Sequence, residues 1–412
     1  MRKENLYRKL ARLAVVRGVN VQNGQPLVIR ADVRDHAFVE MIVEEAYQAG
    51  AKSVDVRWRD QKITKLDYLN QSEETLSEIG DWLHEREQAV HDAKGCYLSI
   101  LSDMPGALKD IPSSKIRAYQ KAYHEKMGDL SAYTSNNQGQ WCVLGVASRE
   151  WAKVVFPDLN EDEAFEKLED VLFEVSGVSE DNDPVEWWRE HDEELIRHAE
   201  KMTAFNFREL HFTNSLGTDL YVPLTEKHIW VGGGCKTPAG VYFDPNIPTE
   251  EVFCMPHCEK VHGTVVSSRP LSYNGVLIEN FRLVFEEGKV IEHHAEKNEE
   301  ALTILLDFDE GSRRLGEVAL VPHGSKISQS GVLFYNTLYD ENASCHLALG
   351  RCYPENIEGG VDMSEEEVRA KGGNCSLQHE DFMFGTADMN IDGITYENEV
   401  IPVFRNGSFV ID

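Results

Sequence analysis

The hydrophobic period of this 412-residue chain changes once, near residue 205, and that change restricts it to two kinds of layer. Before it, helical and strand spacings alternate. Leu6, Leu10, Leu13 and Ala14 recur at helical spacing, and Pro26-Leu-Val-Ile-Arg30 is a short apolar run that reads as a buried strand. Residues 37–49 are helical with Gly50 as the stop, Ser53-Val-Asp-Val-Arg57 alternates as a strand, and 97–101 offers a further one. Strands separated by helices need crossovers, so this half is expected to form an α/β domain with an open, mostly parallel sheet. Residues 160–204 read as helical and acidic. Asn160 with Glu163 has the form of a capping box, Phe165, Leu168, Leu172 and Val175 share one face, and Asp183-Pro184 opens another helix. The acidic outer face is expected to face water.

Beyond 205 the texture is strands and tight turns. Residues 209–213 alternate, Ser215-Leu-Gly-Thr-Asp219 is a turn, and 220–222 returns. Asn274-Gly275, Glu287-Gly288 and Asn406-Gly407 are further hairpin signals, with one helical run at 299–306. The expectation is a β-rich α+β domain over 206–412, following an α/β domain over 1–205.

Charge excludes several partners. With 41 basic and 71 acidic side chains the net charge is −30, which disfavours nucleic acid and anionic membrane surfaces, since both need excess Lys and Arg. No segment approaches the ~20 apolar residues of a membrane span, and the apolar stretch 13–16 is too short for a signal peptide. Eight cysteines in this length make no dense disulfide framework, and Cys254 and Cys258 form a lone CxxxC without a second half. The chain reads as cytoplasmic, with no membrane and no nucleic acid as partner.

Glycine motifs give little. Gly232-Gly-Gly-Cys-Lys-Thr237 has Cys235 where a phosphate loop needs Gly, and no GxGxxG follows either N-terminal strand. The C-terminal half is richer in chemistry. His379-Glu-Asp381 lies in a strand-like run, 379–384, so His379 and Asp381 share one face while Phe382 and Phe384 point into a core. An imidazole beside a carboxylate suits a divalent cation, although most such triplets are ordinary surface. Glu317 lies in the apolar strand-like run Leu315-Gly-Glu-Val-Ala-Leu320, where an unpaired carboxylate would be costly; a salt bridge with Arg313 or Arg314 would also account for it. His346 falls in 342–350, which reads as a short helical stretch, where a hydrogen-bonded core histidine is the plain alternative. Glu250 and Glu251 follow Pro248-Thr249 at a helix or loop start, where an acid can cap.

Taken together these blocks resemble a family. Asn246-Ile-Pro-Thr-Glu-Glu-Val-Phe253, Leu315-Gly-Glu-Val-Ala-Leu-Val-Pro322, Asn342-Ala-Ser-Cys-His346, His379-Glu-Asp-Phe-Met-Phe384 and Leu210-His-Phe-Thr-Asn-Ser-Leu-Gly-Thr-Asp219 are similar to those of the aminopeptidase T and aminopeptidase S family, in order. The resemblance implies a metal-dependent aminopeptidase that releases N-terminal residues from short peptides with a free N-terminus. It also implies a homodimer and two divalent ions per subunit, held in the C-terminal domain. Carried over by position, the metal ligands are Glu251, Glu317, His346, His379 and Asp381, and Tyr353 is the active-site tyrosine. Glu317 would bridge the ions or act as a base, and Tyr353 would polarise the oxyanion. Oxygen and nitrogen ligands without thiolate suit zinc, cobalt, manganese or magnesium. Cys345 and Cys352 read as small buried hydrophobes. The α/β half, lacking chemistry of its own, is expected to serve access or dimerisation. Two readings of other classes stay open at this point: another metal-dependent amidohydrolase or dipeptidase, and a non-enzymatic acidic protein with a structural metal.

Overall fold

The computed structural model describes residues 3–273 and 275–411. Asn274 of the hairpin signal Asn274-Gly275 lies outside the described residues. The chain folds into two compact units, one formed by Met1–Glu190 with Gly234–Pro248 and the other by His191–Gly233 with Thr249–Asp412.

The first unit is built on five strands that all pair in parallel, in the order Asn246–Ile247, Trp141–Gly145, Cys96–Leu101, Pro26–Asp32, Ser53–Arg59. The central strands are apolar because helices cover their faces, as the run Leu27, Val28 and Ile29 shows by its complete burial. The amphipathic helices Glu4–Leu13 and His36–Gln48 supply Leu10, Leu13, Phe38 and Ile42 to the same core as Leu27, Ile29 and Leu98. Asn160 caps Glu161–Val175 by accepting the Glu163 N–H at 3.0 Å, and Asp183 does the same for Val185 at 3.0 Å ahead of Pro184–Phe205.

The second unit contains two antiparallel sheets. The larger has nine strands, running through Glu209–Thr213, Asp219–Pro223, His262–Val266 and the long hairpin Val276–Glu286 with Lys289–Lys297. The smaller has five, in the order His379–Met383, His346–Gly350, Leu315–Leu320, Val252–Cys254, Val231–Gly232. One face of this smaller sheet is apolar. Val252, Leu315, Val318, Leu320, Leu347, Leu349 and Phe382 join Leu210, Phe212, Leu220 and Phe281 in a single core. Phe281 meets Phe382 with ring centroids 5.4 Å apart, and Phe212 meets Phe384 at 5.3 Å. Among the described residues no helix is long and apolar enough to cross a membrane.

One local expectation is corrected and one alternative is settled. Residues 342–350 are not helical: a single turn of tight helix, Glu341–Ala343, gives way to the strand His346–Gly350. Leu347 and Leu349 alternate with Ala348, and that period of two serves a sheet with one face on the core. Of the helix or loop start expected at Glu250 and Glu251, the structure has the loop, which leads directly into the strand Val252–Cys254.

Candidate metal centre

The other face of the five-stranded sheet carries the polar groups. Cross-strand register puts Glu317, Ala348 and Asp381 in one row, and Phe253, Ala319, His346 and Met383 in the next. Gly350 sits opposite His379. Four neighbouring strands thus each bring a candidate side chain to one face, Glu251 from the residue just before its strand. Ala319, Ala348 and Gly350 add little bulk between them on this face, although the two alanines are fully buried.

Glu317 reaches this face through an irregularity. Leu315 pairs with Leu349, yet Glu317 pairs with Ala348, so one extra residue is inserted at Gly316. Without it Leu315 and Glu317 would point the same way; the bulge sends Leu315 to the core and Glu317 to the opposite face. A Cβ on Gly316 would lie 2.3 Å from the Arg351 carbonyl oxygen, which is why glycine stands there. Arg313 pairs instead with Asp307 and Arg314 donates to the Cys258 and Glu287 carbonyls, so neither serves Glu317.

The structure brings together Glu251, Glu317, His346, His379 and Asp381. His346 Nε2 lies 2.9 Å from Glu251 Oε2 and 3.7 Å from Glu317 Oε1, while His379 Nε2 lies 3.3 Å from Glu317 Oε2 and 3.4 Å from Asp381 Oδ1. Two overlapping groups result, Glu251–Glu317–His346 and Glu317–His379–Asp381, with Glu317 common to both. Glu250 lies apart from them, 3.7 Å from His191. Each histidine is held by its other nitrogen: His346 Nδ1 donates to the Ser344 carbonyl at 3.2 Å and His379 Nδ1 to the Arg351 carbonyl at 2.6 Å. That leaves both Nε2 lone pairs aimed at the carboxylates, the tautomer a metal ligand requires.

Two observations test whether a cation fits. Glu251 Oε2 and Asp381 Oδ1 are buried acceptors, and the groups facing them are the Nε2 atoms of His346 and His379, which satisfy them only when those rings are protonated. The ionisation behaviour points the same way. Burial raises Glu317, but the imidazoles beside it outweigh burial and hold it down at about 2. Burial lowers His346 and His379, yet their carboxylate neighbours carry both well above the ordinary imidazole value. The face draws positive charge, and imidazole protons are what its own residues provide. Divalent cations fit it.

Tyr353 joins from the loop after His346–Gly350, its ring 4.8 Å from His379 and 5.8 Å from Phe253. Burial of the hydroxyl end, then Glu317 and Asp381, push its phenol well up, although 41% of the residue is exposed. Cys345 and Cys352 are buried, and no cysteine belongs to either group. Sequence reasoning missed Glu341. Burial, then Asp381 and Glu251, push its carboxyl well above the usual range, and it lines a small polar cleft of about 50 Å³ with Asp381, Tyr335 and Met383. Its position one residue before the Asn342-Ala-Ser-Cys-His346 block was the available signal.

By its donor set such a face is that of a metal-dependent protein. Comparison with known proteins agrees: residues 3–409 match the profile of the thermophilic metalloproteases (M29). Aminopeptidase AmpS of Bacillus subtilis (strain 168) is 45% identical over 401 residues, 97% of each chain. Aminopeptidase T of Thermus thermophilus is 38% identical over 413 residues, 99% of each. The solved structure of wild-type AmpT from Thermus thermophilus superposes with a TM-score of 0.92, covering 99% of this chain and 100% of that one. The chain belongs to the M29 family of metalloproteases. It is a metal-dependent aminopeptidase, a hydrolase that acts as an exopeptidase on peptide substrates. A 2,5-dihydroxypyridine dioxygenase of Pseudomonas putida KT2440, 12% identical at a TM-score of 0.53, shares the fold alone.

Proposed function

We propose that the enzyme holds two divalent cations, one on Glu251, Glu317 and His346 and one on Glu317, His379 and Asp381, and releases N-terminal residues from short peptides. The observation that carries the reading is the shared carboxylate: Glu317 stands between two imidazole–carboxylate groups and contacts both. Bound ions would supply Lewis acidity and a water of lowered pKa. Zinc, cobalt, manganese and magnesium are the ions such donors suit.

The chain's own residues divide the remaining work. Glu317, which faces both imidazoles and belongs to both groups, serves as the shared ligand rather than as a base. Glu341, which lines the same polar cleft as Asp381, is placed to accept the proton of the attacking water and return it to the leaving amine. The Tyr353 hydroxyl, kept protonated by its surroundings, donates to the oxygen on which negative charge develops. With two divalent ions bound the ligand carboxylates are neutralised, so the pull on a cationic substrate end, such as a free α-ammonium, comes from the net charge of −30 that the chain as a whole carries. We assign the assembly as a homodimer, supported by the resemblance of the sequence blocks.

The experiment is hydrolysis of aminoacyl-p-nitroanilides by protein stripped with a chelator and then titrated with zinc, cobalt or manganese. Activity is expected to vanish on stripping and to return as the second equivalent per chain is added; anomalous scattering counts the ions directly. Full activity at one equivalent sinks the dinuclear reading. Light scattering checks the two-chain mass.

A further inference from the structure

Asn342 has no exposed surface, and both ends of its amide are engaged. Its Oδ1 accepts the Glu250 N–H at 2.7 Å, and its Nδ2 donates to the Leu338 carbonyl at 3.1 Å while lying 3.4 Å from Glu341 Oε1. The Glu250 N–H is two residues short of the strand Val252–Cys254, where ladder pairing begins, so Glu251 hangs on a stretch the sheet does not fix. That stretch is also held by His191 Nε2 on the Thr249 carbonyl at 2.8 Å and by the Lys326 N–H on the Glu250 carboxylate, neither of which engages the N–H that Asn342 accepts. The chemistry calls for an amide: an acid could not donate to Leu338, and a hydroxyl is too short to reach both sides.

We propose that Asn342 is a positioning residue that sets Glu251 against His346, so that its loss weakens the cation site containing Glu251 and spares the site formed by His379 and Asp381. The proposal rests on the dinuclear reading above. Asn342 touches neither ion nor substrate; it acts through the peptide of Glu250, and its second arm ties that peptide to the turn carrying Glu341. Groups that orient a ligand from behind typically change metal affinity by about 10–100-fold.

The test titrates metal-free, full-length protein with cobalt(II) and resolves the two affinities by calorimetry. Asn342→Leu keeps the volume and removes both hydrogen bonds. It is expected to weaken one site by about 10–100-fold and leave the other at its wild-type affinity. Asn342→Ser is read the same way if the leucine variant fails to fold. Leu305→Ala, a fully buried core position, is the control: it should lower the thermal midpoint and leave both affinities unchanged. Variants of Asn342 that weaken both sites alike, or neither, overturn the proposal. Wild-type protein that takes up a single ion overturns the dinuclear reading instead, and separates the two failures.

Discussion

At the scale of the residue, Glu317 is the member of the site whose loss should differ in kind from the rest. It alone stands in both groups, and its carboxylate faces both imidazoles. Glu317→Ala is expected to abolish tight binding at both sites, while Asp381→Ala or His379→Ala should leave one ion bound; all three should cut peptidase activity by several orders of magnitude. Metal content per folded chain, read by atomic emission, decides this. A Glu317→Ala protein that keeps one ion at wild-type affinity would remove the shared role. The five side chains that converge here were legible because each sits in a short block with a distinctive neighbour set. The choice between Glu250 and Glu251 rested on motif position, and the structure sends them to different neighbours, His191 and His346. Glu341 was not legible, since what marks it is the company of Asp381 and Glu251, residues distant in sequence.

At the scale of the element, sheet register does what no single residue can. The strand over 315–320 was legible from its apolar run, but its bulge was not, because a bulge is defined by the partner strand. The strand over 346–350 was misread as helical for the same reason: a five-residue apolar stretch has too few positions to separate the two periods. Gly316→Ala tests the bulge. Its Cβ meets the Arg351 carbonyl, and relief by shifting the strand turns Glu317 off the site, so stability should fall by about 1–3 kcal/mol. Metal affinity should fall with it, measured by calorimetry, whereas unchanged affinity would show that the register tolerates a side chain. In the first unit, Asp35 precedes the helix His36–Gln48 and accepts the Ser102 hydroxyl at 2.6 Å. Burial, then Asp32, raises its carboxyl to about 6 from an unfolded value of 3.8. A raised folded pKa means the protonated form is the one that stabilises. That contribution is full below 3.8 and lost as pH rises through about 6. Asp35→Asn should therefore raise the thermal midpoint above pH 7 and change little at pH 4; a gain equal at both values would assign the effect to something other than ionisation.

At the scale of the whole molecule, net charge favours one end of a substrate. A chain at −30 remains strongly negative with two divalent ions bound, and its field attracts cations over distances that salt shortens to about 10 Å at 0.1 M. A short peptide with a free N-terminus presents an ammonium, the group the chain's overall negative field favours. Steering speeds encounter without altering the bound complex. For a peptide with an amidated C-terminus and no charged side chain, kcat/KM is therefore expected to fall as sodium chloride is raised, with kcat nearly constant. Acetylation removes the ammonium and with it that advantage, and the acetylated peptide should survive a digestion that shortens its free counterpart one residue at a time. Mass spectrometry of the time course distinguishes the possibilities. Internal fragments, or equal cleavage of the acetylated peptide, would show that the terminal amine is not what the site recognises. A kcat/KM indifferent to salt would confine the acidic surface to some role other than capture.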